Sequence, residues 1–135
     1  MTTVKLPRPL VNQLLQQAQQ SPQLEVCGLI SARDGRPQRC YPVMNAAADN
    51  AHRFEMEPGS QIEALRQIRE QGEQLFAIYH SHPDTPPLPS ELDRQHTEYP
   101  QALRLIISLN TEGVLEMRGY ALEEQALQPV ELELE

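Results

Sequence analysis

Apolar positions change their spacing along the chain, and the changes divide it into alternating helices and strands. Leu10, Val11, Leu14, Leu15 and Ala18 recur at three- and four-residue intervals, which predicts an amphipathic helix over 8–20. The glutamines between them read as its solvated face. Apolar runs predict strands at 24–33 and 38–45, joined at Asp34-Gly35, a pair suited to a tight hairpin turn. Residues 53–57 read as another short strand, and 58–72 as a second helix with Ile62, Leu65 and Ile68 turned inwards. Leu75 to Tyr79 is a buried strand ending at His80, followed by a proline-rich loop and a short helix from Ser90. Residues 103–109 and 114–122 predict a hairpin turned at 110–113. The tail at 130–135 alternates strictly between apolar residues and glutamate, which suits either an edge strand with one wet face or a frayed acidic end. Without internal repeat or linker, this pattern predicts one α/β domain over 1–135, a mixed sheet flanked by helices.

Composition narrows the surroundings. At 135 residues the chain can bury a real core. Its formal charge of −8, with one lysine and no basic cluster, argues against nucleic acid as the main partner. No apolar run approaches a transmembrane length, and the N-terminus lacks the apolar core of a signal peptide. The expectation is a cytoplasmic protein with no membrane partner, in which Cys27 and Cys40 are free thiols. Cys27, two residues after Glu25 and on the same strand face, reads as a small buried hydrophobe.

The densest chemistry follows the strand at 75–79. His80, His82, Ser90 and Asp93 fall within fourteen residues. Strand residues i and i+2 share a face, so His80 and His82 can aim at one point, and Asp93 can fold back as a third ligand across the proline loop. Two histidines and one carboxylate, with a fourth position left for water, make up a catalytic zinc site; structural sites close with four protein ligands. Each part alone has a plainer reading. A His-x-His at a strand end is commonly an ordinary hydrogen-bonded pair, Ser90 and Asp93 match a helix cap, and Pro83, Pro86, Pro87 and Pro89 stiffen a loop. Their conjunction in this order points to metal-dependent hydrolysis. Glu25 is the one charge in the run 24–30. A buried carboxylate needs a partner or a proton, and beside a metal-bound water it is a natural proton acceptor.

The set Glu25 with Cys27-Gly28, then His80-Ser81-His82-Pro83, then Pro89-Ser90 and Asp93, resembles the JAMM (MPN-plus) metalloproteases. Pro42-Val43-Met44-Asn45 and Arg53-Phe54-Glu55-Met56-Glu57-Pro58 are weaker features of the same kind. The resemblance implies an MPN domain with a cytidine-deaminase-like architecture, one zinc ion held by His80, His82 and Asp93, Glu25 as general base, and Ser90 as oxyanion stabiliser. A chain so close to a bare core domain is similar to the compact bacterial branch that processes ubiquitin-like sulfur carriers. That implies hydrolysis after the C-terminal Gly-Gly of such a carrier. The alternatives are a ubiquitin-type isopeptidase or small-peptide hydrolase of the same mechanism, and a non-catalytic MPN scaffold; the full ligand set disfavours the scaffold.

Overall fold

The structure is a computed structural model; it describes residues 3–111, 114 and 116–135. Strand β1 (Thr3–Leu6) leads into helix α1 (Arg8–Gln20), and the hairpin β2 (Cys27–Arg33) and β3 (Arg36–Val43) follows. Helix α2 (Pro58–Glu70), strand β4 (Gln74–His82) and the short helix α3 (Glu91–Gln95) come next, and strands β5 (Leu103–Ser108), β6 (Glu116–Glu123) and β7 (Ala126–Leu134) complete the chain. The seven strands form one mixed sheet in the order β1-β7-β6-β5-β4-β2-β3. Pairs β4–β5 and β1–β7 are parallel, and the other neighbours are antiparallel.

Strand alternation sorts side chains to the two faces of this sheet. Ile30, Ala77, Tyr79, Leu105 and Ile107 point to one face and pack beneath Leu10, Val11, Leu14 and Ala18 of α1. Cys27 and Leu29 point to the other, where Tyr41, Val43, Phe54 and the α2 residues Ala64 and Ile68 meet them. Tyr79 lies on the α1 face, so its neighbours His80 and Ile78 point to the α2 face. Gly28 is required by this packing: a Cβ there would sit 2.6 Å from the Tyr41 carbonyl oxygen and against the Tyr79 ring.

Several expectations need correction. The strand expected from 24 pairs only from Cys27, so Glu25 precedes it. The strand expected at 53–57 is a single bridge between Asn45 and Met56, because the Asn45 side chain takes up backbone groups that a ladder would use. Ile62 is 66 % exposed; the inward positions of α2 are Ala64 and Ile68. The tail is ordered as β7 but is not an edge, since β1 pairs along it from Thr3↔Glu131 to Leu6↔Leu134. Asp34 and Gly35 both have positive φ, as the predicted tight turn requires. Glu124 and Gln125 adopt the same backbone region between β6 and β7. The predicted β5–β6 pairing is present, while Glu112 and Gly113 of its turn lie outside the described residues.

Candidate metal centre

The site forms where β4 ends. Consecutive residues of a strand face opposite ways, so His80 and His82 turn their rings to one side while Ser81, fully buried, serves the other. The Ser81 hydroxyl accepts from the Val26 N–H at 2.9 Å, and the Ser81 N–H donates to the Val26 carbonyl at 2.9 Å. This clamp holds the segment ahead of β2 against β4 and brings Glu25 over the histidines.

His80 Nε2 and His82 Nε2 lie 3.2 Å apart, and each is 3.1 Å from Asp93 Oδ2. The Nδ1–H of His82 donates to the Pro86 carbonyl at 2.8 Å, which makes Nε2 the lone-pair nitrogen of the neutral ring; in the protonated ring the Nε2–H donates to Asp93 Oδ2 at 3.1 Å. Phe54 stacks on the His80 ring at a centroid distance of 4.5 Å and fixes its plane. Asp93 arrives through the cap of α3. Its Oδ2 accepts from the Ser90 N–H at 2.9 Å, while the Ser90 hydroxyl oxygen accepts from the Asp93 N–H at 3.0 Å. Ser90 caps through its oxygen, so the hydroxyl proton is left to donate elsewhere; the cap and the cavity-facing role are compatible.

The electrostatics separate the four groups. Burial pushes the Glu25 carboxyl from 4.5 up to about 7; nearby His82 lowers it and Asp93 raises it. Burial also raises Asp93, but hydrogen bonds from His80, His82 and the Ser90 N–H outweigh it and hold the group well below the usual carboxylate range. Burial lowers His80. It lowers His82 too, where Asp93 and the Pro86 carbonyl overcome it and leave the ring raised. Among the described residues, Glu25 Oε1 is buried without a hydrogen-bond partner. One ligand atom from each of Glu25, His80, His82 and Asp93 lies within 4.8 Å of the others, all four residues being buried. Converging nitrogens, a deprotonated carboxylate and an orphaned carboxylate oxygen fit a divalent metal ion.

The sequence from residue 7 to 120 matches the family described as prokaryotic homologs of the JAB domain. The chain belongs to this JAB family. Among its relatives is a desampylase of Haloferax volcanii, 35 % identical over 89 residues, which span 64 % of each protein. A CysO-cysteine peptidase of Mycobacterium tuberculosis is 28 % identical over 120 residues, 87 % of this chain and 82 % of the relative. The solution structure of a Desulfitobacterium hafniense protein superposes with a TM-score of 0.86 at 29 % identity, over 98 % of this chain and 92 % of that one. A JAB1/MPN domain protein from Archaeoglobus fulgidus shares the fold, with a TM-score of 0.67 at 20 % identity over the full length of both. The chain is thus a compact prokaryotic JAMM/MPN protein with the MPN fold.

Two cavities flank the centre of this JAB domain. One, of about 260 Å3, is lined by Glu25, His52, His82, Pro86 and Ser90 among others. The other, of about 330 Å3, lies on the side of His80, Asp93, Phe54 and Tyr99. Every residue singled out from the sequence for the site lines one of them. Sequence reasoning named Ser81, Asn45 and Phe54 within the motifs, and Pro86 as a loop stiffener, but assigned none of them its part in orienting these residues. Alternation alone would have found Ser81, since the residue between two ligands must face away from them. Cys27 is a buried free thiol that donates to the Val43 carbonyl at 3.3 Å. Burial, and secondarily the charge of Glu25, push it up to about 12, so it is an inert part of the core. No helix among the described residues is long and apolar enough to cross a membrane.

Proposed function

We propose that the chain is a zinc-dependent peptidase that hydrolyses the bond after the C-terminal Gly-Gly of a small ubiquitin-like sulfur-carrier protein. The observation that carries this reading is the convergence of Glu25, His80, His82 and Asp93 in one buried cluster. His80, His82 and Asp93 would hold the ion, a donor set of the composition that catalytic zinc sites use. Zinc bound there would supply a water acidified to a pKa of roughly 7 and polarisation of the scissile carbonyl.

The remaining chemistry belongs to side chains. Glu25, with an unpartnered oxygen and a pKa of about 7, takes the proton of the attacking water and passes it to the leaving amine. A group that titrates near the working pH does both efficiently. Ser90 donates its hydroxyl proton to the carbonyl oxygen as negative charge develops there, a contact worth about 3 kcal/mol of barrier. The Pro86 carbonyl keeps His82 in the tautomer that binds metal, and Phe54 keeps the His80 ring in plane.

The substrate reading draws on chemistry and on kinship. The relatives' names describe a desampylase and a peptidase acting on CysO-cysteine. Glycines suit a centre walled by Phe54, Pro86 and the histidines, because backbone without side chains can pass close to it, and an extended tail can pair with exposed backbone. The acidic surface and absence of a basic cluster argue against a nucleic-acid substrate.

Mass spectrometry tests this proposal on three substrates: a β-grasp carrier extended beyond Gly-Gly by cysteine, lysine-linked diubiquitin, and an unstructured peptide carrying the same tail. The carrier is expected to be cut after the second glycine, with phenanthroline blocking the reaction. Rapid cleavage of diubiquitin with the carrier intact would replace the sulfur-carrier reading with an isopeptidase one. A zinc-loaded protein that cuts none of the three would favour a scaffold.

A further inference from the structure

Asn45 stands just beyond β3, between the two segments that shape the site. Its carboxamide uses two donors and two acceptor positions. Nδ2 donates to the Glu25 carbonyl at 2.9 Å and to the Arg53 carbonyl at 3.0 Å. Oδ1 accepts from the N–H groups of Ala47 and Glu55, each at 3.0 Å. The loop that Asn45 ties together also supplies the Asn50 carbonyl, which accepts from the Glu25 N–H at 2.7 Å. Both backbone polar groups of Glu25 are therefore held by one loop, and Asn45 organises that loop.

This grip decides where the Glu25 carboxylate points. The residue lies outside the ladder, since pairing between β2 and β4 begins at Cys27. Its buried Oε1 has no hydrogen-bond partner among the described residues to steer it, so the aim is inherited from the backbone. We propose that Asn45 is a positioning residue that sets the aim of Glu25 through its carbonyl, by the paired amide bonds to Glu25 and Arg53. The role rests on the reading of Glu25 as general base. Chemistry restricts the position to asparagine. Aspartate offers acceptors alone and would leave both carbonyls without their donors, serine cannot span four partners, and glutamine is one methylene too long for the same geometry.

A double-mutant cycle tests this, using the zinc-loaded protein and the β-grasp carrier extended by cysteine after Gly-Gly. Asn45→Ala is expected to retain one zinc per chain, with KM little changed and kcat lower by roughly 10–100-fold, the scale of a reacting group displaced by about 1 Å. In a Glu25→Gln background the same substitution should lower kcat by less than about twofold, because the group it positions has already been removed. A merely structural residue would lower the melting temperature and slow both backgrounds alike, or neither. Should Asn45→Ala fail to fold, Asn45→Asp carries the cycle, since it keeps the acceptor bonds to Ala47 and Glu55. The inference is overturned by wild-type kcat in the folded variant, by a full-sized loss in the Glu25→Gln background, or by loss of zinc from both Asn45 variants. A Glu25→Gln enzyme as fast as wild type would instead contradict the general-base reading, and with it this role.

Discussion

Glu25→Gln is expected to stabilise the metal-free protein, and to lower kcat of the zinc-loaded one by about 10²–10⁴-fold. Burial disfavours the charged form of the Glu25 carboxyl and pushes it from its ordinary 4.5 up to about 7 in the fold. Below pH 4.5 the carboxyl is protonated in both the folded and unfolded chain, and it does not penalise folding. Between 4.5 and about 7 the unfolded chain releases the proton while the folded one still holds it, so stability is lost as pH rises. Above about 7 the loss is complete, at about 3 kcal/mol. Glutamine does not titrate, and the variant escapes this loss. The difference between variant and wild type should therefore grow from near zero at pH 4.5 to about 3 kcal/mol at pH 8, a large share of the roughly 5–15 kcal/mol that holds a domain together. Urea unfolding of both proteins in excess chelator, at steps from pH 5 to 8, reads the difference directly, and every other titrating group is common to the pair. A variant equal to or less stable than wild type at pH 8 would refute the argument. Glu25 would then have a partner in solution, or water would reach it.

Further outcomes follow from single contacts. Ser90→Ala should keep the metal and lower kcat by about 10²–10³-fold, with about 1 kcal/mol of stability lost with the α3 cap; an unchanged kcat would leave Ser90 as a cap alone. Gly28→Ala should destabilise by about 1–3 kcal/mol or more in urea, since its methyl meets the Tyr41 carbonyl and the Tyr79 ring, and an unchanged midpoint would count against this packing. Phe54→Leu, which removes the ring stacked on His80, should weaken zinc binding about 10-fold in a competition titration; unaltered affinity would show that the stack does not orient the ligand.

What was legible in the sequence is what local pattern encodes. Helix α1 was bounded correctly because its apolar stripe repeats over three turns, and Asp34-Gly35 announced its turn because glycine tolerates positive φ. The β6–β7 hairpin was not legible: Glu124 and Gln125 take positive φ without a glycine, held there by the strands on either side. Strand β1 was missed because four residues carry too little alternation, and its pairing with β7 joins the two ends of the chain. Ile62 misled because periodicity gives a face and not its limits; Ala64 occupies the inward place. In the site, the four residues that converge, Glu25, His80, His82 and Asp93, stood out by type and spacing. The supporting roles of Asn45, Ser81 and Phe54 did not, because they act through contacts across 8 to 55 residues of sequence, which no local pattern records.

His80, His82 and Asp93 are proposed to hold a single zinc ion on which hydrolysis depends. The most direct test of this is to strip the protein with chelator and titrate zinc back while following cleavage of the carrier extended beyond Gly-Gly. Turnover should be absent at the start, rise linearly and break sharply at one equivalent, and the His80→Ala/His82→Ala protein should show neither bound zinc nor turnover at any point. Cleavage by the stripped protein, or stoichiometric zinc retained by the double variant, would contradict the account.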